Sequence, residues 1–148
     1  RKLKEKKEKR EWTSRKKELI EKTKTLTDYK KDLQTLVNKF VRLTKESECI
    51  SCKKDLNGLK FDAGHYRTVG SNPALRFETL NIWPQCVKCN RDLHGNLLEY
   101  RINLVKKLGN DTVQWLESEH APKKYTVQEL QDLTKHYKAE IKKIEQKK

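Results

Sequence analysis

Cys49-Ile-Ser-Cys52 and Cys86-Val-Lys-Cys89 hold all four cysteines of the chain, as two C-x-x-C pairs with 33 residues between them. Two residues between ligands let each pair grip one ion from a tight turn, and four thiolates complete the tetrahedral shell that structural zinc prefers. Two disulfides are the other use of four cysteines. Nothing in the sequence indicates secretion and the chain is lysine-rich, so zinc is the reading taken. With all its positions filled such an ion has no open site and is predicted to staple the fold, not to catalyse.

Between the pairs runs KKDLNGLKFDAGHYRTVGSNPALRFETLNIWPQ, in which Asn57-Gly58 reads as a hairpin signal, Leu59 to Arg67 as a strand, and Gly70 and Pro73 as loop punctuation. After Cys89, Asn90 to Leu108 reads as a helix stopped by Gly109, and Asp111 to Glu119 as a short helix ended before Pro122. Knuckle, hairpin, loop, knuckle and helix is the layout of a treble-clef or ββα-metal unit. The predicted class is therefore α+β, mostly helical, around a zinc-stapled core.

Asp62, His65, Asn81, Asn90, His94 and Asn96 fall inside or just after this unit. Any one of them alone would be read as a turn or capping residue. Together they are what a metal-dependent phosphodiesterase requires. An imidazole deprotonates water, one or two ligands hold Mg²⁺ against the scissile phosphate, and an amide orients the imidazole. Asn90 and His94 are four apart, so on a continuous helix they would share a face that can point at His65.

Outside the unit the chain is helical and basic. Residues 1–47 carry 17 Lys/Arg against 8 Asp/Glu, without Gly or Pro, and supply most of the formal net charge of +14. From Trp12, large side chains recur every seven residues at Leu19, Leu26, Leu33 and Phe40, with Tyr29, Leu36 and Leu43 interleaved. A long amphipathic helix is predicted, whose stripe either meets a coiled-coil partner or lies on the chain's own core. The preceding RKLKEKKEKR has one apolar residue and is expected to fray or to bind phosphates. At the other end Thr126 and Glu129 form a capping-box signature before an apolar stripe from Val127 to Ile144. The predicted organisation is a basic helical extension over 1–47, a zinc-bound core over 48–124 and a C-terminal amphipathic helix over 125–148.

Hydrophobic residues are 34% and charged residues 38% of the 148, so one core with extended helices is expected in place of two full domains. The charge points to a polyanionic partner, nucleic acid first. No apolar run nears the roughly 20 residues that span a bilayer, so no membrane role is expected and the chain is read as soluble. It begins at Arg1 and has no Met, which is read as a fragment lacking its natural N-terminus. Trp83 and Trp115 lie beside aliphatic residues and are read as core, not as wedges in nucleic acid.

The runs CISC, FDAGHYRTVGSNPALRF, LNIWPQCVKCN, HGNLLEYRINLVKKLG and WLESEH resemble the NinG (Rap) family of phage recombination proteins, a branch of the HNH (ββα-metal) endonucleases, over about residues 36–145. The resemblance implies a DNA endonuclease cutting Holliday junctions and D-loops with Mg²⁺ or Mn²⁺, in the cytoplasm of a phage-infected or lysogenic bacterium. It implies His65 as general base and Asn81 as the residue that orients it. Common HNH proteins place a metal-binding histidine where Asn90 stands and another at the place of His94. The NinG pattern keeps the asparagine and the later Gly95-Asn96 without a fixed histidine, so Asp62 or Asn96 is also a candidate ligand.

Arg67, Arg76, Lys88, Arg91 and Arg101 lie near these residues in sequence and are the candidate phosphate contacts. Symmetric cutting of a junction needs two sites, so a homodimer is expected, with the N-terminal heptads as its interface and phage or host recombination proteins as further partners. The rival expectation is a non-catalytic zinc-stabilised DNA-binding or scaffolding module in which Asp62, His65 and Asn81 only cap turns. An RNA binder ranks last, because exposed aromatic pairs for base stacking are not evident.

Overall fold

The computed structural model describes residues 1–148. Five α-helices and one two-stranded sheet follow in the order α1 (Lys2–Thr23), α2 (Leu26–Thr44), β1 (Phe61–His65), β2 (Ile82–Cys86), α3 (Leu97–Leu108), α4 (Asn110–Glu117) and α5 (Val127–Gln146). The fold is mostly helical α+β. No helix is long and apolar enough to cross a membrane.

The single N-terminal helix expected from the heptads is two. Thr25 caps α2 by accepting from the backbone N–H of Asp28, while the Asp28 carboxylate accepts from the Thr25 N–H. This reciprocal cap satisfies orphan donors at a new helix start, and the chain turns there. The stripe divides accordingly. In α2, Leu33, Val37 and Val41 are fully buried against Phe77, Ile82 and Leu130, so this half lies on the chain's own core. In α1 nothing is buried, and Trp12 and Leu19 are 63% and 64% exposed. The basic run expected to fray is helical from Lys2 onward.

Helix α5 begins at the Thr126–Glu129 capping box read from sequence and packs on α2, with Tyr137 edge-on to Phe40 at 5.2 Å. A second cluster gathers Ile50, Tyr66, Leu75, Tyr100, Leu104, Val113 and Leu116 under α3 and α4. A third is small and built mainly of sulfur, from Cys49, Cys86, Cys89 and Leu56 with Phe61 beside them. Trp83 packs on the second cluster, whereas Trp115 is 45% exposed and stacks edge-on to His120, so it is not core.

Strands β1 and β2 pair antiparallel with Phe61 opposite Cys86 and His65 opposite Ile82. The hairpin signal at Asn57-Gly58 does not join them. It makes a turn with Leu59 N–H on the Leu56 carbonyl, Gly58 at φ +72°. The connection between the strands is the long loop 66–81. The helix expected over Asn90–Leu108 is also broken. Lys88–Asp92 forms one wide π turn, then His94, Gly95 and Asn96 take φ of 49°, 93° and 43° before α3 starts. Three successive left-handed residues cannot continue a helix, and two of them are not glycine, so the geometry is strained. Tertiary bonds hold it. Gly95 N–H donates to the Cys89 carbonyl at 2.8 Å, and the Gly95 carbonyl accepts from Gln85 Nε2 at 2.5 Å.

Candidate functional site

The two C-x-x-C turns meet. All four sulfurs lie within 4.8 Å of one another, with Cys52 Sγ 3.8 Å from Cys86 Sγ. Zn–S bonds of about 2.3 Å in a tetrahedron place sulfurs about 3.8 Å apart, so the cluster can hold a metal ion such as zinc. The first turn is fixed from three sides. Ile50 N–H donates to the Pro84 carbonyl at 3.0 Å, Gln85 Nε2 to Ser51 Oγ at 2.8 Å and Asn103 Nδ2 to the Ser51 carbonyl at 3.0 Å. Asn96 Nδ2 approaches Cys89 Sγ at 3.5 Å. Asn96 therefore faces the sulfur cluster, not a second ion. Burial pushes the Cys89 thiol up to about 12, an electrostatic penalty on its thiolate that a cation among the sulfurs offsets.

His65 closes β1, at the mouth of a cleft of about 370 Å³ that it lines together with Asn90 and His94. The π turn and the left-handed break bring Asn90 and His94 to this cleft without the shared helix face expected for them. His65 Nε2 meets the Arg76 carbonyl at 2.9 Å. Because a carbonyl only accepts, that nitrogen carries the proton and Nδ1 keeps a free lone pair. Burial holds the imidazole below its ordinary value, reinforced by the Arg76 charge and opposed by the carbonyl, so the ring is neutral at pH 7.

Asn81 does not touch the ring through its amide. It is fully buried, accepts from Arg67 N–H at 2.8 Å, and donates to the Arg67 and Leu75 carbonyls at 3.0 and 3.3 Å. One side chain thus clamps both ends of the loop whose Arg76 carbonyl holds His65. The expectation that Asn81 orients the imidazole directly is replaced by an indirect route through this loop.

Asp62 is drawn out of the cleft. Arg91 grips both its oxygens at 2.9 and 2.7 Å and Asn90 Nδ2 donates at 3.0 Å. The Arg91 guanidinium holds the Asp62 carboxyl below the usual range. Apart from the four cysteines, no three His, Cys, Asp or Glu side chains gather closely enough to hold an ion. The donor set left in the cleft is two imidazoles and one carboxamide. It contains no carboxylate, so a hard divalent ion there would have to take most of its oxygens from water and a bound phosphate.

The cations expected to grip phosphates are differently engaged. Arg91 is paired with Asp62, and Arg101 with Glu117 at 2.6 Å. Arg76 Nε donates to Gln34 at 3.2 Å, and Arg67 Nε is buried without a partner. Lys88 is exposed at the rim of the sulfur cluster.

Residues that sequence reasoning passed over hold His65 in place. The fully buried Tyr100 donates its hydroxyl to the Gly64 carbonyl at 2.7 Å, and Tyr66 donates to Glu117 at 2.6 Å. Gly64 itself leaves no room: a Cβ there would lie 2.1 Å from Gln85 Oε1. These two tyrosines flank the histidine in sequence or sit in the quoted motif, but their partners are a backbone carbonyl and a distant carboxylate, which no spacing rule reveals.

The family model described as "NinG: Bacteriophage Lambda NinG protein" matches residues 1–147. Protein ninG of Escherichia phage 933W is 40% identical over 113 residues, covering 76% of this chain and 56% of the relative. Protein ninG of Escherichia phage lambda is 39% identical over 113 residues, covering 76% and 55%, and that of Salmonella phage P22 is equally similar. The chain thus spans about half the length of the curated relatives it matches. No solved structure matches it. The match over nearly its whole length and the near-40% identity to these relatives show that the chain belongs to the NinG family of phage proteins.

Proposed function

We propose that this chain is a metal-dependent, structure-specific DNA endonuclease that cuts branched recombination intermediates, Holliday junctions and D-loops, in the cytoplasm of a phage-bearing bacterium. The observation that carries this reading is His65. A neutral imidazole with its Nε2 bonded to the Arg76 carbonyl and its Nδ1 free faces Asn90 and His94 across one cleft. Support also comes from chain order, in which sulfur turn, strand, loop, strand, sulfur turn and helix follow as in an HNH (ββα-metal) unit. Zn²⁺ fills the four-cysteine cluster as a structural ion.

In this mechanism His65 Nδ1 takes a proton from water, the hydroxide attacks phosphorus, and the P–O bond to the leaving oxygen breaks, that oxygen taking a proton from solvent. His94 and the Asn90 carboxamide would hold Mg²⁺ or Mn²⁺, and such an ion would supply charge neutralisation at the phosphate and the leaving oxygen. Asn81 keeps the 66–81 loop closed so that the Arg76 carbonyl stays on the ring. A homodimer would supply the two cuts a four-way junction needs. The exposed Trp12 and Leu19 on α1 favour that half of the stripe as its interface, with recombination proteins as further partners.

A non-catalytic zinc-stabilised DNA-binding module is the second reading, favoured by one observation: no carboxylate lines the cleft, and Asp62 is locked by Arg91 and Asn90. Cleavage of a labelled four-way junction, a D-loop and a matched linear duplex, with and without added Mg²⁺ or Mn²⁺, separates the two. The nuclease reading expects metal-dependent cutting of the branched substrates that falls at least about 100-fold in His65→Ala, the size of a lost general base. Junction binding without cutting supports the module instead.

A further inference from the structure

We infer that α1 is a duplex-DNA arm, one face of which tracks a phosphate backbone away from the cleft; this rests on the reading of the chain as a DNA-acting protein. Helix α1 buries none of its residues, so its side chains do nothing for the core. At about 100° per residue, Lys2, Lys6, Lys9, Arg10 and Lys17 fall within an arc of about 100°. No acidic residue shares that arc. Glu8, Glu11 and Glu18 point to the other side of the helix; Glu5 and Glu21 flank the arc just outside its two edges, where Glu5 is engaged by Arg1 at 3.3 Å and Glu21 by Lys24 at 3.0 Å and the Tyr29 hydroxyl at 2.9 Å. Within the arc Thr13 is neutral, and its hydroxyl is turned to the Lys9 carbonyl at 2.7 Å. The cations of the opposite side, Lys4, Lys7, Arg15 and Lys22, share it with Glu8, Glu11 and Glu18, and Lys7 lies 4.0 Å from Glu11, so only the first face is free of negative charge.

The arm is anchored as well as charged. Lys24 bridges Glu21 and Asp32 at 3.0 and 2.9 Å, which ties the end of α1 to the first turns of α2 and so to the packed core. From Lys2 to Lys17 the rise of an α-helix gives about 22 Å. At 3.4 Å per step of one strand this spans about six base pairs. Spaced cations on a fixed rod match a regular row of phosphates. They suit a sequence-independent contact that adds affinity and register without reading bases. Arg91 and Arg101, by contrast, spend their charge on Asp62 and Glu117.

The test is the salt dependence of binding by the full chain, read by fluorescence anisotropy on a 30-base-pair duplex and a four-way junction without added divalent ions. Two fourfold variants are compared. One replaces the face, Lys6→Gln, Lys9→Gln, Arg10→Gln and Lys17→Gln. The other removes equal charge from the far side, Lys4→Gln, Lys7→Gln, Arg15→Gln and Lys22→Gln. Each released phosphate contact changes the slope of log K against log salt by about 0.9, so the face variant is expected to lose about 3.6 from the slope and the far-side variant less than half of that. Circular dichroism verifies that both keep the helix. Equal losses in both, no loss in the face variant, or no duplex binding by the parent overturns the arm. Face-dependent binding to phosphatidylserine vesicles in place of duplex also overturns it. The nuclease reading fails separately: a parent that cuts nothing but shows the face-dependent slope loses the enzyme and keeps the arm, and a parent that cuts while both variants bind alike loses the arm only.

Discussion

At the scale of single residues, His65 depends on neighbours that never touch a substrate. Its ring is held by the Arg76 carbonyl, and that carbonyl by Asn81 through the loop. Replacing Asn81 with Ala removes the partner of the Arg67 N–H and carbonyl, at roughly 1–3 kcal/mol for each group left unpaired, whereas the Leu75 carbonyl keeps the Glu78 N–H at 3.2 Å. Asn81→Ala should therefore lower the denaturant midpoint and, where the fold survives, reduce kcat more than it raises KM for branched DNA. Gly64→Ala should be worse than an ordinary strand glycine replacement, because the new methyl meets the buried Gln85 amide oxygen; loss of soluble protein or a large drop in thermal midpoint is the readout. The histidine also carries a pH signature. Burial lowers its proton affinity below the ordinary 6.5, so the base is already neutral at pH 7. Cleavage should therefore persist to lower pH than an ordinary imidazole base allows and decline as the ring takes its proton. For stability the sign is the same: the unfolded ring takes its proton first, so the folded state loses ground as pH falls from 6.5 toward the lowered value. The histidine was legible in the sequence as a strand residue of the right type. Its carbonyl partner was not, since every residue has a carbonyl and none announces itself in a spacing pattern.

At the scale of elements, the heptad stripe was legible as helix but not as two helices with separate fates. The break was written in Thr25-x-x-Asp28, a reciprocal cap that the continuous seven-residue rhythm overrode in the reading. The end of the second sulfur turn was missed likewise. Gly95 stands where a helix from Asn90 would need an ordinary φ, and its left-handed neighbours follow from bonds to Cys89 and Gln85 that lie far apart in sequence. Two experiments belong here. Removing residues 1–20 should leave the unfolding free energy of the monomer within about 0.5 kcal/mol of the parent, because exposed helix without buried contacts contributes little to the fold. Thr126→Ala at the start of α5 should cost about 1 kcal/mol, because it removes the oxygen that caps the Glu129 N–H. Scanning calorimetry reads both.

At the scale of the whole molecule, 25 of 148 residues are buried and 17 of these form three small clusters, so no single hydrophobic mass holds the parts together. The smallest of the three is the one around the cysteines, with Leu56 as its only fully buried aliphatic side chain. An ion on those sulfurs would do there what apolar packing does elsewhere, and it would join segments that are distant along the chain. Cys52→Ser, or dialysis against a zinc-selective chelator, should lower the thermal midpoint and loosen residues 49–56 and 86–96 in hydrogen exchange while α2 and α5 stay protected. The same geometry has an economic side. A ligand that binds only the folded chain adds about 1.4 kcal/mol for each tenfold rise in its free concentration once the site is saturated. With so little else holding the sulfur lobe, the dose of working protein would follow the zinc supply of the cell and not the rate at which ribosomes deliver the chain.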